Sequence, residues 1–293
     1  MISGKARVCG LMGCPVEHSL SPLLHNFFAG EMGMDFAYVP FLVSEGDVKA
    51  AVNGAWALNV AGMNVTIPHK QSVIPFLTDL DPGARLIGAV NTMVRTKDGY
   101  KGYNTDASGL LRAMKEADMD IAGKDWLLFG AGGAAKAAAF VLGSENARQV
   151  VILNRSRDRA LDLAREMNRK LGREFLTALA LEDYKKLPEG QWQALQTTSV
   201  GMAPRAGRAV IEDKGFYSRI SQAMDVIYTP ARTRFMELVE EAGGRAVNGL
   251  DMLLYQGAAA FELWNPDIRI LPQTMAQARP LMETTLRGRE SGA

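Results

Sequence analysis

The sequence contains few of the residues from which metal sites and disulfide frameworks are built. Its 293 residues include two cysteines, Cys9 and Cys14, and three histidines. The cysteines do not form a Cys-x-x-Cys pair, so the composition argues against a zinc site and against a disulfide-stapled secreted fold. We therefore predict no metal cofactor and a reducing location, the cytoplasm.

The chain also lacks a large net charge and a long apolar run. Its formal net charge of +1 provides no broad field for nucleic acid or anionic lipid, so any bound anion must be held by local groups. The N-terminus shows no basic-then-apolar signal pattern, and no apolar run reaches membrane-spanning length. The expected partner is a small molecule, with no nucleic acid and no membrane.

What the sequence does show is an alternation of apolar runs and helical patterns. A chain of 293 residues exceeds the size at which one hydrophobic core usually keeps growing, so two domains are expected. Strands predicted at residues 8–12, 37–43 and 60–64 alternate with helices that begin near Pro22 and cover residues 45–56. This order is typical of βαβ packing.

The Asp98-Gly99 pair predicts a hairpin, and the amide of Gln256, on a mostly apolar helix, needs hydrogen-bond partners. Further predictions are a helix near residues 82–87 and strands at residues 194–198, 223–227 and 245–247.

A polar segment, NVTIPHK at residues 64–70, follows the third predicted strand directly. Apolar strand residues that end in Asn, Thr and Lys indicate the carboxyl end of a buried strand, where open α/β sheets bind ligands. Taken alone, Lys70 is better explained as a solvated surface residue.

Other polar residues carry a local structural reading beside a functional one. Pro22 suits the first position of a helix, which makes Ser21 the predicted N-cap and leaves Ser19 without a local role. A capping hydroxyl can still donate to a ligand. Asn91 could be a turn residue, and Asp106 could be the N-cap of a helix predicted at residues 109–117.

A glycine turn follows the strand predicted at residues 126–129. The segment GAGGAA at residues 130–135 leads into a helix rich in small residues. Strand, glycine turn and helix form the context of a dinucleotide fingerprint, in which the backbone approaches a pyrophosphate at the helix N-terminus. The spacing departs from Gly-x-Gly-x-x-Gly, since the last small position is Ala135.

The next predicted strand, at residues 149–153, ends in NRSRDR. Folds that prefer NAD place an Asp or Glu about 20 residues past the glycines, where it bonds the ribose hydroxyls. Guanidinium groups instead bind a 2′-phosphate through charge-assisted hydrogen bonds. We therefore predict an NADP(H) site at the end of this strand. The arginines could also form the solvated first turn of a helix predicted at residues 160–170, and we interpret Arg157 in that way.

Taken in order, these segments resemble the shikimate dehydrogenase family. The resemblance runs from about Gly10 to Trp264 and includes further motifs at residues 88–92 (GAVNT), 102–106 (GYNTD), 225–233 and 249–256. One position departs from the family pattern: Gln196 stands where the family has Asn in Asn-x-Thr-Ser-x-Gly. That exchange puts the bonds of the family residue in doubt.

The resemblance implies a two-domain α/β fold. Residues 1–105 would form an N-terminal α/β substrate domain with a mostly parallel sheet, completed by C-terminal helices in residues 249–293. Residues 106–248 would form a Rossmann-like NADP-binding domain, with a cleft between the two. The implied activity is the reversible NADPH-dependent reduction of 3-dehydroshikimate to shikimate, in aromatic amino acid (chorismate) biosynthesis, by a monomer or homodimer.

The resemblance also implies residue roles. Lys70 and Asp106 would be the catalytic pair, and Ser19 and Ser21 would hold the substrate carboxylate. The remaining substrate contacts would be Asn64, Thr66, Asn91, Tyr228 and Gln256. The cofactor contacts would be Gly130, Ala131, Gly132, Gly133, Ala134, Asn154, Arg155, Ser156, Arg159, Thr198, Ser199 and Gly249.

Three alternatives stay open at this point. The enzyme could act on quinate as well as, or instead of, shikimate, although Ser21 in place of a bulkier Thr leans towards shikimate. A methylenetetrahydrofolate dehydrogenase would also use a lysine, but the paired serines and Gln256 have no evident task there. A ligand-sensing paralogue without activity is a third reading, against which the presence of both Lys70 and Asp106 argues.

Overall fold

The computed structural model describes residues 2–203 and 205–291, and within them the strands form two sheets of six strands each. The chain divides into two compact units. One holds the chain up to Gly109 together with Leu253–Arg287, and the other holds Leu110–Met252. Met1, Pro204, Gly292 and Ala293, which the predicted domains include, lie outside the described residues.

The first unit is built on a mixed sheet. In chain order its elements are β1 (Arg7–Gly13), α1 (Ser21–Glu31), β2 (Phe36–Leu42), α2 (Val48–Ala57), β3 (Gly62–Val65), β4 (Asp79–Leu80), α3 (Pro82–Ile87), β5 (Thr92–Thr96), β6 (Gly99–Tyr103) and the start of α4 (Thr105–Glu116). The strand order is β2-β1-β3-β5-β6-β4. β1 runs parallel to β2 and β3, and β4 runs parallel to β6, whereas β5 is antiparallel to both neighbours.

Turn and cap residues account for several of these elements. β5 and β6 form the hairpin predicted from the Asp-Gly pair. Its turn residues are Lys97 and Asp98, and Gly99 is the first residue of β6, paired with Thr96. α3 begins where the Asp81 side chain accepts the Gly83 N–H at 2.9 Å, and it ends at Gly88 with φ +69. The single helix predicted at residues 45–56 is wrong in its first turn, because Glu45–Asp47 form a separate 3-10 turn before α2.

The second unit contains a fully parallel sheet. Its elements are β7 (Asp125–Phe129), α5 (Gly133–Ser144), β8 (Gln149–Asn154), α6 (Arg157–Leu171), β9 (Leu176–Ala180), β10 (Trp192–Gln196), α7 (Lys214–Tyr217), β11 (Ile220–Asp225), α8 (Arg234–Glu241) and β12 (Arg245–Val247). The order is β9-β8-β7-β10-β11-β12, which is the doubly wound order of Rossmann folds. The chain then continues through α9 (Leu250–Trp264) and α10 (Pro272–Ser291).

The strand order of the second unit determines where a ligand can bind. The order reverses between β7 and β10, which are hydrogen-bonded neighbours with Phe129 opposite Gln196. Open α/β sheets bind ligands at the carboxyl ends of the strands, at such a reversal. A buried core under the sheet, with Phe129, Trp192 and Phe235 among its members, holds these strand ends in place.

An asparagine side chain covers the outer edge of one terminal strand in each sheet. On β2, Asn26 Oδ1 accepts the Tyr38 N–H and Asn26 Nδ2 donates to the Tyr38 carbonyl, both at 2.9 Å. On β9, Asn168 makes the same two bonds with Leu176, both at 3.0 Å. Each amide therefore takes the place of a neighbouring strand at an edge that would otherwise offer unpaired backbone groups.

Among the described residues, no helix has both the length and the apolar character needed to cross a membrane.

Candidate active site

A lysine and an aspartate form an ion pair in the first unit. Lys70 lies in the turn after β3, and Asp106 is the second residue of α4. Lys70 Nζ lies 2.6 Å from Asp106 Oδ2, with side chains 16% and 7% exposed. The two residues predicted as a catalytic pair are therefore in direct contact, and the pair keeps a small opening to solvent.

Asn91 determines the orientation of the Asp106 carboxylate. Asn91 Nδ2 donates to Asp106 Oδ1 at 2.9 Å, so each carboxylate oxygen has its own donor. The other end of the Asn91 amide is fixed as well, because Oδ1 accepts the Thr105 N–H at 2.7 Å. Asn91 is only 2% exposed, and its predicted contact with a substrate stays a prediction.

The local reading of Asp106 as a helix N-cap is wrong. α4 begins at Thr105, and Asn104 Oδ1 accepts the Ala107 N–H at 3.2 Å, which is the bond expected of a cap. Asp106 lies in the first turn, where the helix dipole stabilises a negative charge. Its carboxylate is therefore available to Lys70.

Gln256, on α9, joins the same hydrogen-bond network. Its Oε1 accepts from Asn91 Nδ2 at 3.2 Å and from Thr105 Oγ1 at 3.4 Å, and its Nε2 donates to the Leu253 carbonyl at 3.0 Å. The prediction that an amide among apolar neighbours needs partners is thus met by these three bonds. Lys70, Asp106, Asn91 and Gln256 form one connected set within the first unit.

Asn64, on β3, forms hydrogen bonds with residues of several neighbouring elements. Its Oδ1 accepts the Tyr38 hydroxyl at 2.7 Å and His25 Nε2 at 3.1 Å, and its Nδ2 donates to the Asn91 carbonyl at 3.2 Å and to Thr92 Oγ1 at 3.1 Å. These protein partners occupy both ends of a side chain that is 4% exposed. Direct contact between Asn64 and a substrate stays a prediction.

His25 and Tyr38 were not among the residues predicted from the sequence. Their rings stack at 4.3 Å between centroids, and both are buried. Burial lowers the pKa of His25 to about 3, an effect that the hydrogen bond to Asn64 opposes. Nothing in the sequence distinguishes a helix histidine with a buried structural partner from one on the surface, so only the fold could reveal this pair.

The two serines differ from the prediction. Leu20 is the N-cap of α1, and Ser21 is its first residue, so the predicted capping role of Ser21 is wrong. Ser19 does have a local role, because its hydroxyl accepts the Ser21 N–H at 3.1 Å. Burial raises the pKa of Tyr38 well above its usual value, and a hydrogen bond with Ser21 opposes that rise. Ser21 is buried, whereas Ser19 and Thr66 are half-buried.

The glycine turn of the second unit leaves its backbone accessible. Gly130 has φ +110, and a Cβ there would lie 2.8 Å from Thr197 Oγ1, so this position requires glycine. Gly132 is the N-cap of α5, and a Cβ built on it meets no atom within 4 Å. Ala131, Gly133 and Ala134 are half-buried. The free N–H groups at the start of α5 suit a pyrophosphate.

The end of β8 carries a group of unpaired cations. Arg155, Arg157 and Arg159 are exposed, and in the described part of the chain no carboxylate lies within ion-pair distance of their guanidinium groups. Asn154 Nδ2 donates to the Ser156 carbonyl at 2.7 Å, and Ser156 caps α6. α6 begins at Arg157 rather than at the predicted residue 160. Such a set of donors suits a dianionic phosphate.

The remaining residues predicted to contact the cofactor or the substrate lie in loops that follow the strands of the second unit. The strands predicted at 194–198 and 223–227 end too late, because β10 stops at Gln196 and β11 stops at Asp225. Thr198 is therefore in a loop and half-buried, and Ser199 is exposed. Tyr228 is half-buried after β11, and the Gly249 N–H donates to the Ile227 carbonyl at 3.0 Å. These residues belong to the second unit.

Three family models match the chain. The shikimate dehydrogenase substrate binding domain matches residues 11–93, the shikimate / quinate 5-dehydrogenase model matches residues 112–187, and the shikimate 5′-dehydrogenase C-terminal domain matches residues 249–278. The first and third lie within the parts of the chain that contain Lys70 and Gln256, and the second covers the glycine turn.

Individual proteins are similar over nearly the whole chain. A shikimate dehydrogenase (NADP(+)) from Desulforamulus reducens is 42% identical over 272 residues, which cover 90% of this chain and 91% of that protein. A crystal structure of a shikimate dehydrogenase in complex with NADP+ has a TM-score of 0.86 at 35% identity, covering 95% and 96% of the two chains. A Listeria monocytogenes shikimate 5-dehydrogenase in complex with shikimate and NAD has a TM-score of 0.84 at 33% identity, covering 96% and 98%.

Proposed function

Since this chain belongs to the shikimate dehydrogenase family, we propose that it catalyses the reversible NADPH-dependent reduction of 3-dehydroshikimate to shikimate. It is an NADP-dependent oxidoreductase that acts on a CH–OH group. The observation that carries the assignment of residues is the Lys70–Asp106 ion pair, bound to Asn91 and Gln256 in one network.

Reduction of a carbonyl requires a hydride at carbon and a proton at oxygen. NADPH supplies the hydride when it is bound. The Lys70 ammonium donates a hydrogen bond to the carbonyl oxygen, stabilises the charge that develops there and delivers the proton. Asp106 holds the Lys70 amine at 2.6 Å and relays a proton from solvent back to it. The proton belongs to the pair rather than to one residue.

The substrate contacts surround this pair. The Ser19 and Ser21 hydroxyls, at the start of α1, bind the substrate carboxylate, and the positive end of the helix dipole assists them. Four side chains orient the ring hydroxyls: Asn64, Thr66, Asn91 and Gln256. Asn91 is hydrogen-bonded to both Gln256 and Asn64. Tyr228 contributes a further substrate contact.

The cofactor contacts are supported by the exposed donors of the second unit. The turn from Gly130 to Ala134 binds the pyrophosphate at the N-terminus of α5, and Asn154, Ser156 and the nearby arginines bind the adenosine end. Arg155 and Arg159 bind the 2′-phosphate, because their guanidinium groups have no carboxylate partner among the described residues. Thr198, Ser199 and Gly249 complete the site.

The proposal extends to the setting of the reaction. Shikimate production places the enzyme in aromatic amino acid biosynthesis, and we propose a cytoplasmic monomer or homodimer whose ligands are small molecules.

Initial rates with shikimate and with quinate, each with NADP+ and with NAD+, test this function. We expect the highest kcat/KM for shikimate with NADP+. A higher kcat/KM for quinate would assign the chain to the broader quinate/shikimate reading. Absence of turnover in all four combinations would support a ligand-sensing paralogue and refute the proposed activity.

A further inference from the structure

A buried carboxylate in the second unit has no part in the reaction described above. Asp225 is the last residue of β11, and its side chain is 0% exposed. Its oxygens accept hydrogen bonds from Thr233 Oγ1 at 2.7 Å, the Ile227 N–H at 3.0 Å and Gln196 Nε2 at 3.4 Å. All three donors are neutral. Burial raises the pKa of Asp225 to about 7, and the three hydrogen bonds oppose that rise.

A carboxylate buried in this way costs stability, since neutral donors only partly replace its hydration. An apolar side chain of similar volume would fill the same space without that cost. Costly buried ionisable groups are concentrated at functional sites. The hydrogen bonds of Asp225 indicate which segment of the chain it holds in position.

Gln196 connects Asp225 to the loop after β10. Gln196 is the register partner of Asp225 on the neighbouring strand. Its Nε2 also donates to the carbonyl oxygens of Val200 at 2.9 Å and Thr198 at 3.2 Å, and its Oε1 accepts the Thr198 N–H. One side chain therefore fixes residues 198–200 at both ends of the turn. The longer Gln, at the position where the family pattern has Asn, does make bonds to this loop.

The same loop contacts the glycine turn. The Thr197 N–H donates to the Phe129 carbonyl at 3.0 Å. A Cβ on Gly130 would lie 2.8 Å from Thr197 Oγ1 and 3.1 Å from Thr198 Cγ2, so the two backbones are already in close approach. Any displacement of residues 197–200 would alter the surface beside the first glycine. Thr198 and Ser199, proposed cofactor contacts, would move with it.

We propose that Asp225 is a positioning residue for cofactor binding, which acts through Gln196 on the backbone of residues 198–200. This inference rests on the proposed NADP-dependent function. A purely structural role would be the alternative, in which Asp225 and Gln196 stabilise the sheet without affecting the cofactor.

The test compares two variants, their combination and a matched control. Gln196→Met keeps the length of the side chain and removes the amide, and Asp225→Asn removes the charge. The control is Ser221→Ala. Ser221 Oγ donates to the Trp192 carbonyl at 3.2 Å, so this change deletes one hydrogen bond between the same two strands at their opposite ends. For each protein, the Kd for NADP+ is measured by calorimetry, KM and kcat by steady-state kinetics, and the unfolding midpoint by thermal melting.

We expect Gln196→Met to raise the Kd for NADP+ about tenfold, equivalent to about 1.4 kcal/mol, and to leave the KM for shikimate within about twofold of the wild type. The Ser221→Ala control should leave the Kd unchanged even where the midpoint falls. If Asp225 acts through Gln196, Asp225→Asn alone should raise the Kd for NADP+ by more than about twofold. The double variant should then bind NADP+ no more weakly than Gln196→Met alone.

Two results would overturn the proposal. One is a Kd for NADP+ in Gln196→Met that stays within about twofold of the wild type despite a lower unfolding midpoint. The other is an Asp225→Asn variant whose Kd for NADP+ stays within about twofold of the wild type, or, where both single variants weaken binding, full additivity of the two losses in the double variant. If Asp225→Asn does not fold, Thr233→Val removes a donor to the same carboxylate and replaces it in the cycle. Because the Kd is measured without turnover, a wild type that binds NADP+ but does not oxidise shikimate would refute the proposed function and leave this test intact.

Discussion

His25 should make the first unit sensitive to acid, and the size of the effect follows from its contacts. Asn64 Nδ2 faces the Asn91 carbonyl, which can only accept, so Asn64 Oδ1 must face His25. His25 Nε2 therefore carries the hydrogen, and the neutral ring leaves its lone pair on Nδ1. In the described part of the chain, Nδ1 is buried without a hydrogen-bond partner. Protonation would place both a charge and an unsatisfied N–H there.

The pKa of His25 determines how the free energy of unfolding changes with pH. Burial lowers the pKa of His25 from 6.5 to about 3, so the unfolded chain binds a proton more readily than the folded one. The resulting stability is fully present above the unfolded pKa and is lost as the pH falls towards the folded pKa. Each pH unit within that window costs about 1.4 kcal/mol. Between about pH 6.5 and about pH 4.5 the loss should be about 3 kcal/mol, as an order of magnitude.

The assay compares wild type with His25→Gln, which keeps an N–H donor near Asn64 and does not titrate. Urea unfolding of both proteins at about pH 7.5 and about pH 4.5 separates His25 from the carboxylates, whose contributions are common to both. The wild type should lose about 3 kcal/mol more than the variant over this range. Equal losses in the two proteins, or a His25 ring that titrates near 6.5 in a nuclear magnetic resonance pH series, would refute the reasoning.

Three further predictions concern the reaction, the cofactor and the sheet edges. Lys70→Ala should lower kcat by about 10²–10⁴-fold with a modest change in KM, because general acid–base help is lost; turnover near the wild-type rate would show that the catalytic assignment is wrong. Arg155→Asp should raise the KM for NADP(H) far more than for NAD(H), since a carboxylate repels the 2′-phosphate; equal effects on both cofactors would remove the argument for NADP selectivity. Asn26→Leu and Asn168→Leu should each reduce the free energy of unfolding by about 1–3 kcal/mol, the net value of the lost edge bonds, and should increase self-association measured by light scattering. Unchanged scattering in both edge variants would contradict the protective role of these amides.

Local sequence signals predict best those elements whose ends carry a capping residue or a turn residue. α3 lies within its predicted range because Asp81 caps it and Gly88 ends it in the left-handed conformation. β12 likewise matches its prediction at 245–247. By contrast, β9 (Leu176–Ala180) was not predicted, because five small and apolar residues without a turn signal at either end suit several local structures. β10 and β11 were predicted to run too far, because their polar continuations keep a strand-like composition.

In the site as well, local sequence patterns predict less than the tertiary structure shows. Lys70, Asn91, Asp106 and Gln256 come from four segments that local patterns cannot bring together, and only the ordered resemblance to a family grouped them. The bonds that orient these residues were out of reach even for that resemblance. His25 and Tyr38 act through hydrogen bonds to Asn64, which lies 39 and 26 positions away along the chain. A hydrogen bond has no signature in sequence spacing unless it is local.

The orientation of Asp106 explains why these supporting bonds matter for the chemistry. A carboxylate free to rotate would offer either oxygen to Lys70, and the ammonium would follow it. Asn91 occupies Oδ1 and leaves Oδ2 for Lys70, so the ammonium has one defined position. An ammonium has three N–H donors, and Asp106 takes one of them. The direction of the remaining donors is therefore set by Asn91, which Thr105 and Asn64 hold in turn. The precision required for the proposed proton transfer thus depends on buried amides as well as on the charged pair.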